Sequence, residues 1–306
     1  MKHKKTLGIL VLLILIAFAI YYIYQNINDF KQLSLVYPFL LIILVFLVLF
    51  HLLITGLMNY QPLRVFNVKL AFGEIFSLAI ITRFYNLITP FKGGMAARAV
   101  YLKKKHKFPY TDFLATLAAS YVLIFLVVSL IGIISTLIIF YSTGVFSWII
   151  FLIFLAVFFP LVFIITFSPK FPETRNYWIN RIIRVINGWH LIKDNKKVIF
   201  LVSLLSLIQL LIGAFMLYLQ FRVFGIEVSY TATLFLAAIA SIGLIIGLTP
   251  AGLGVSEAII VFSALTIGIT PAESLSAALL GRAVSLVVLF VLGPIFSYVL
   301  IRKKSA

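Results

Sequence analysis

Cysteine is absent from the 306 residues, histidine occurs four times, and only eight residues are Asp or Glu. The lack of thiols excludes disulfides and thiolate redox chemistry, and four scattered imidazoles leave no dedicated metal site. The chain holds no glycine-rich nucleotide loop, no nucleophile set beside a base and no cofactor motif, so it is not read as an enzyme. Charge as a whole is scarce, at 11%, against about 25% in soluble domains. Hydrocarbon takes its place: 63% of residues are hydrophobic and the mean hydropathy is +1.19. A soluble fold, with about 45–50% apolar residues, cannot hide such a surplus from water. The composition therefore defines an all-α integral membrane protein.

A helix needs roughly 20 apolar residues to cross the bilayer core. Clear spans fall at 7–24, 38–58, 113–140, 146–167, 198–221 and 274–300. The first follows Lys2, Lys4 and Lys5, and its run from Thr6 to Tyr24 exceeds a signal peptide's apolar core, so it is read as a retained helix. Two further apolar segments are interrupted. Residues 70–101 break at Thr89-Pro90 and Gly93-Gly94, and residues 231–268 break at Thr249-Pro250, Gly252 and Gly254. Proline costs a helix interior about 3 kcal/mol and glycine about 1, so helices stop there.

The shortage of acids leaves a net charge of +17. In a membrane protein this is an orientation signal rather than a sign of nucleic acid. The cations cluster at Lys2–Lys5, at Arg64 and Lys69, at Arg98 to Lys107, along 170–197, and at Arg302 to Lys304. With all five clusters in the cytoplasm, both termini are cytoplasmic. The six full spans then alternate only if each broken segment returns to its own side. The breaks become the tips of two re-entrant helical hairpins.

The hairpins also resemble each other. Thr89-Pro90-Phe91-Lys92-Gly93-Gly94 and Thr249-Pro250-Ala251-Gly252-Leu253-Gly254 share Thr-Pro with Gly four residues after the proline. Pro109 and Asp112 precede the next span in one half, as Pro271 and Glu273 do in the other. The halves, 38–140 with hairpin 70–101 and 198–300 with hairpin 231–268, enter from opposite sides. They form an inverted-topology repeat within a single membrane domain, 1–306, as in secondary transporters whose sites lie where broken helices meet. Between them, 168–197 is expected to be a cytoplasmic, basic, amphipathic segment. Trp178, Ile182, Val185, Ile186 and Trp189 recur there at helical spacing beside Arg181, Arg184 and Lys193, placing tryptophan at headgroup depth.

Charges inside hydrocarbon are expensive and mark function. They are Glu74, Arg83, Lys92 and Arg98 in the first hairpin, Glu257 in the second and Arg282 in the last span. Glu257, three residues after Gly254, suits the positive end of the returning helix and is placed to pair with Arg282 or Arg83. The glycines let a ligand approach backbone N–H groups, and Arg83, Lys92, Arg98 and Arg282 together make a cradle for an anionic headgroup.

Over roughly 40–300 the chain resembles the lysylphosphatidylglycerol synthase transmembrane family of flippase-like membrane proteins. The resemblance rests on Asn86-Leu87-Ile88-Thr89-Pro90-Phe91-Lys92-Gly93-Gly94 with Arg98, and on Thr249-Pro250-Ala251-Gly252-Leu253-Gly254-Val255-Ser256-Glu257 followed by Arg282. Met95 stands where the family often has Glu, and Ser120-Tyr121 where it often has an acid-Arg pair. Members fused to a soluble aminoacyl transferase make and translocate aminoacylated phospholipid. No such domain is expected after Ala306, so the resemblance implies at most the translocating part.

The expected function is translocation of an anionic or aminoacylated phospholipid, or a phosphate-linked lipid carrier, across the cell membrane, with membrane lipids as partners. The site would comprise Arg83, Asn86, Thr89, Pro90, Lys92, Gly93, Gly94, Arg98, Thr249, Pro250, Gly252, Gly254, Glu257 and Arg282. The alternatives are a secondary transporter of a small soluble anion and a non-transporting membrane partner of a lipid-modifying enzyme.

Overall fold

The computed structural model describes residues 34–89, 92–167, 192–243 and 252–302, with isolated positions between 172 and 190. The described residues form nine helices and no strand. They are α1 (Leu40–Val65), α2 (Phe72–Ile88), α3 (Gly93–His106), α4 (Tyr110–Thr143), α5 (Trp148–Phe167), α6 (Lys196–Val223), α7 (Tyr230–Gly243), α8 (Val255–Leu265) and α9 (Pro271–Arg302). Five of them, α1, α4, α5, α6 and α9, are long and apolar enough to cross a membrane. These match five of the six expected spans. The sixth, 7–24, lies outside the described residues.

The helices outrun the apolar runs because polar residues at their ends find partners. α1 continues through Gln61 and Pro62, both buried. The Gln61 amide donates to the Leu57 carbonyl at 3.2 Å, and Arg64 donates to Gln61 Oε1 at 3.1 Å. α9 opens on a reciprocal cap, with the Thr270 N–H donating to Glu273 Oε2 at 3.0 Å and the Glu273 N–H to Thr270 Oγ1 at 3.4 Å. Proline sits where a missing N–H does no harm, as the first residue of α9.

The outer faces are hydrocarbon. Ile149 on α5 is 75% exposed, and Phe163 and Phe167 on the same helix are open as well. Such a helix needs lipid for a solvent. The interior is assembled from apolar clusters, the largest centred on Phe154, Phe221, Phe235 and Leu236, all fully enclosed. Of the expected interfacial segment, Ile183, Trp189 and Ile192 are described and buried. Trp189 packs inward with Met58, Leu123 and Val202 instead of facing lipid, because α1, α4 and α6 leave an apolar seat for it.

The four remaining helices are short. α2 has 17 residues, α3 and α7 have 14 each, and α8 has 11. At about 1.5 Å per residue all are shorter than a core of about 30 Å. α2 packs on α3, and α7 on α8. The other packing pairs form a pattern. α1 meets α6; α1 meets α2 as α6 meets α7; α2 meets α9 as α7 meets α4; α4 meets α6 as α9 meets α1. The set of neighbours is unchanged when α1–α4 are exchanged for α6–α9, and only α5 stands outside it.

Candidate functional site

Sequence dictates the break after α2. A residue preceding proline is forced out of the helical region, and Thr89 is extended at φ −123°, ψ 142°. Its hydroxyl turns back to the Tyr85 carbonyl and closes the end of α2. Lys92 takes a left-handed conformation at φ 56° and leads into α3. Gly93 and Gly94 then bring α3 against α2. A Cβ on Gly94 would lie 1.8 Å from the Thr82 carbonyl oxygen, so no other residue fits this approach. The Gly94 N–H donates to Asn86 Oδ1 at 2.9 Å, which satisfies one of the orphan donors at the start of α3. Asn86, Thr89, Gly93 and Gly94 are therefore the parts of one turn. Pro90 lies outside the described residues. The Lys92 ammonium stands 5.4 Å from the centre of the Tyr121 ring on α4.

The second tip is built differently. Thr249 and Pro250 lie outside the described residues. Gly252 and Gly254 hold φ of 70° and 77°, which glycine adopts freely. Glu257 sits in the first turn of α8, and its Oε2 accepts from the Gly254 N–H at 2.9 Å and from Ser256 Oγ at 3.0 Å. Its Oε1 accepts from Arg282 Nε on α9 at 2.8 Å and lies 2.7 Å from Arg282 Nη2. Arg282 also donates to Ser256 Oγ at 2.8 Å. Glu257 is thus both a helix cap and half of a buried ion pair, and every contact draws on the same few atoms.

Arg83, on α2, is exposed and stands within electrostatic reach of Arg282 on α9 and of His51 on α1. Among the described residues Arg83 makes no hydrogen bond or ion pair. Arg98 does not join this group. It is buried on α3, with its guanidinium 5.2 Å from the centre of the Phe113 ring, and it lines a separate cavity with Asn59 and Tyr60 of α1. Glu74 serves the base of the first hairpin, accepting from Tyr101 at 2.7 Å, meeting His106 Nε2 at 2.6 Å and pairing with Lys105 at 3.3 Å.

The expected site did not include His51, Tyr121 or Ser256. A lone imidazole midway along an apolar span is a signal in its own right. Tyr121 and Ser256 carry no such mark, since their roles come only from what folds against them.

A multi-pass helical membrane protein with two broken-helix turns, one of them closed by a buried acid-base pair, is the class these features define. The family model for the lysylphosphatidylglycerol synthase transmembrane region matches residues 5–293, and the chain belongs to that family. No curated protein sequence matches it.

Proposed function

We propose that the chain is a lipid translocator of the cell membrane. It moves an anionic or aminoacylated phospholipid, or a phosphate-linked lipid carrier, between leaflets. The observation that carries this reading is Arg83, an exposed arginine on a short helix of an apolar bundle, without a carboxylate partner among the described residues. A guanidinium there recruits an anion, and a phosphate headgroup supplies one while its acyl chains stay in the bilayer. The family's own description, which names a phospholipid synthase, supports the same substrate class.

The mechanism follows from the exchangeable neighbours. Short helices that turn back in the membrane, related by exchange of two halves, suit an inverted repeat with both termini cytoplasmic. The headgroup sits between the tips, with Arg83 on its phosphate and Lys92 at the entrance. The Glu257–Arg282 pair sets the geometry of the second tip. Rocking of one half against the other exposes the headgroup to alternate sides, and no covalent chemistry is required.

The test is reconstitution into vesicles carrying labelled anionic, aminoacylated and zwitterionic lipids. Acceleration of flipping for an anionic or aminoacylated lipid, lost in Arg83→Ala and Glu257→Gln, supports the reading. Failure to move any lipid removes the function, and unchanged flipping in both variants removes the site.

A further inference from the structure

Arg98 presents a problem that the translocation pathway does not solve. It is 6% exposed, and its Nε–H is enclosed with no hydrogen-bond acceptor. Burying a charge without a partner costs several kcal/mol. The Phe113 ring offsets part of this through a cation–π contact but accepts nothing from Nε. Neither α1 nor α3 contains an Asp or Glu; the one acid of α4, Asp112, makes no ion pair with Arg98 among the described residues, and Tyr121 of α4 stands within electrostatic reach as a neutral phenol. The one acid of α2, Glu74, is committed to Tyr101, Lys105 and His106.

Against Arg98 lies a cavity of about 20 Å³ between α1, α2 and α3, lined also by Gly56, Asn59, Tyr60, Leu78 and Ala79. It has room for one occupant the size of a water molecule. Arg98, Asn59 and Tyr60 are the lining residues whose side chains carry donors, and the rest of the lining is apolar. Among the described residues none of the three side chains has a hydrogen-bond partner. The donors and the charge ask for an acceptor that is small and negative. A water supplies the acceptor but leaves the charge, and a phosphate, with four oxygens, is too large.

We propose that Arg98 holds a single halide ion, chloride in the cell, in the cavity between α1, α2 and α3. The ion is a structural counter-charge that ties the first hairpin to α1. It is separate from the lipid path, so its loss leaves the translocation reading standing.

The experiment measures thermal unfolding of the full chain in detergent at constant ionic strength, with chloride replaced by gluconate, bromide or sulfate. Chloride and bromide are expected to raise the midpoint by about 2–4 °C per tenfold increase above the dissociation constant, and sulfate and gluconate to leave it unchanged. Arg98→Gln is expected to lose the halide response. Asn59→Asp, which places a fixed acid in the cavity wall, is expected to lose it too while remaining folded, which covers the case of an unstable Arg98 variant. An anomalous bromide peak within hydrogen-bonding distance of Arg98 would locate the ion. Equal midpoints in chloride and gluconate overturn the proposal and leave water as the occupant. A halide response that survives both substitutions overturns it as well. So does a larger response to sulfate, which would make the occupant an oxyanion.

Discussion

Opposite the second hairpin Arg282 meets Glu257 at 2.7 Å, whereas Arg98 of the first hairpin stacks on Phe113 and meets no carboxylate among the described residues. Both arginines sit on helices that the exchange of halves relates to different partners, and the two tips solve the same backbone problem by different means. At the second tip a side-chain carboxylate caps the returning helix and also neutralises a cation. At the first tip a neutral amide, Asn86, caps the returning helix, and the cations go without acids. The second tip is therefore electrostatically closed and the first open. The two related tips therefore differ in how their cations are compensated, and under the proposed function this asymmetry would give anion capture to the first half and positional rigidity to the second.

Opening the closed tip is expected to have the largest effect. Removing one member of a buried ion pair typically costs 3–5 kcal/mol, since the survivor is left charged and unpaired. Glu257→Ala is expected to lower stability by about that amount and to abolish translocation, read by thermal unfolding and by a vesicle assay. The double variant Glu257→Leu with Arg282→Met is expected to regain much of the stability and none of the transport. A double variant that still transports would show that the pair is scaffolding alone.

Steric contrast between the tips comes next. Gly94→Ala forces a methyl against the Thr82 carbonyl, 1.8 Å away and unable to move without its helix. The expected loss is about 1–3 kcal/mol. Gly254→Ala meets backbone strain instead, at φ 77°, for about 1–2 kcal/mol. Measuring both by unfolding tests whether the first tip is limited by space and the second by conformation. Asn86→Ala is a smaller version of the same test. It removes the acceptor for the Gly94 N–H, and the expected cost is about 1 kcal/mol. Tip 1 then loosens while the Glu257–Arg282 pair is untouched.

Much of this contrast was legible in the residues. Thr-Pro and paired glycines mark helix ends whatever surrounds them, because proline and glycine act through the local backbone. Hydrocarbon length marks the spans, and the expected 113–140 reappears as the core of α4. Glu257 was legible as a cap and as a partner for Arg282, since its position in the first turn follows from Gly254. The fate of the four cations was not. Their grouping into one cradle assumed that charges near in sequence pattern are near in space. In the fold Arg98 turns into its own cavity beside α1, and Arg83 reaches towards Arg282 and His51. Which face of a short helix points inward depends on crossing angles that apolar sequence leaves undetermined. Trp189 carries the same lesson: its spacing is that of an interfacial helix, but a seat between α1, α4 and α6 captured it.

The smallest expected effect separates the tips most cleanly, because it differs from the first in sign as well as size. If the first tip is open, Arg98 contributes little stability when no anion compensates it. Replacing an uncompensated buried charge by an apolar side chain of similar shape is neutral or stabilising. Arg98→Met in gluconate is therefore expected to change stability by less than about 1 kcal/mol, or to raise it, where Glu257→Ala lowers it several-fold more. In chloride the wild type is expected to overtake the variant, because only the arginine retains a counter-ion. A loss of about 3 kcal/mol or more for Arg98→Met in gluconate would mean that Arg98 is compensated from within the chain, and the first tip would then be as closed as the second.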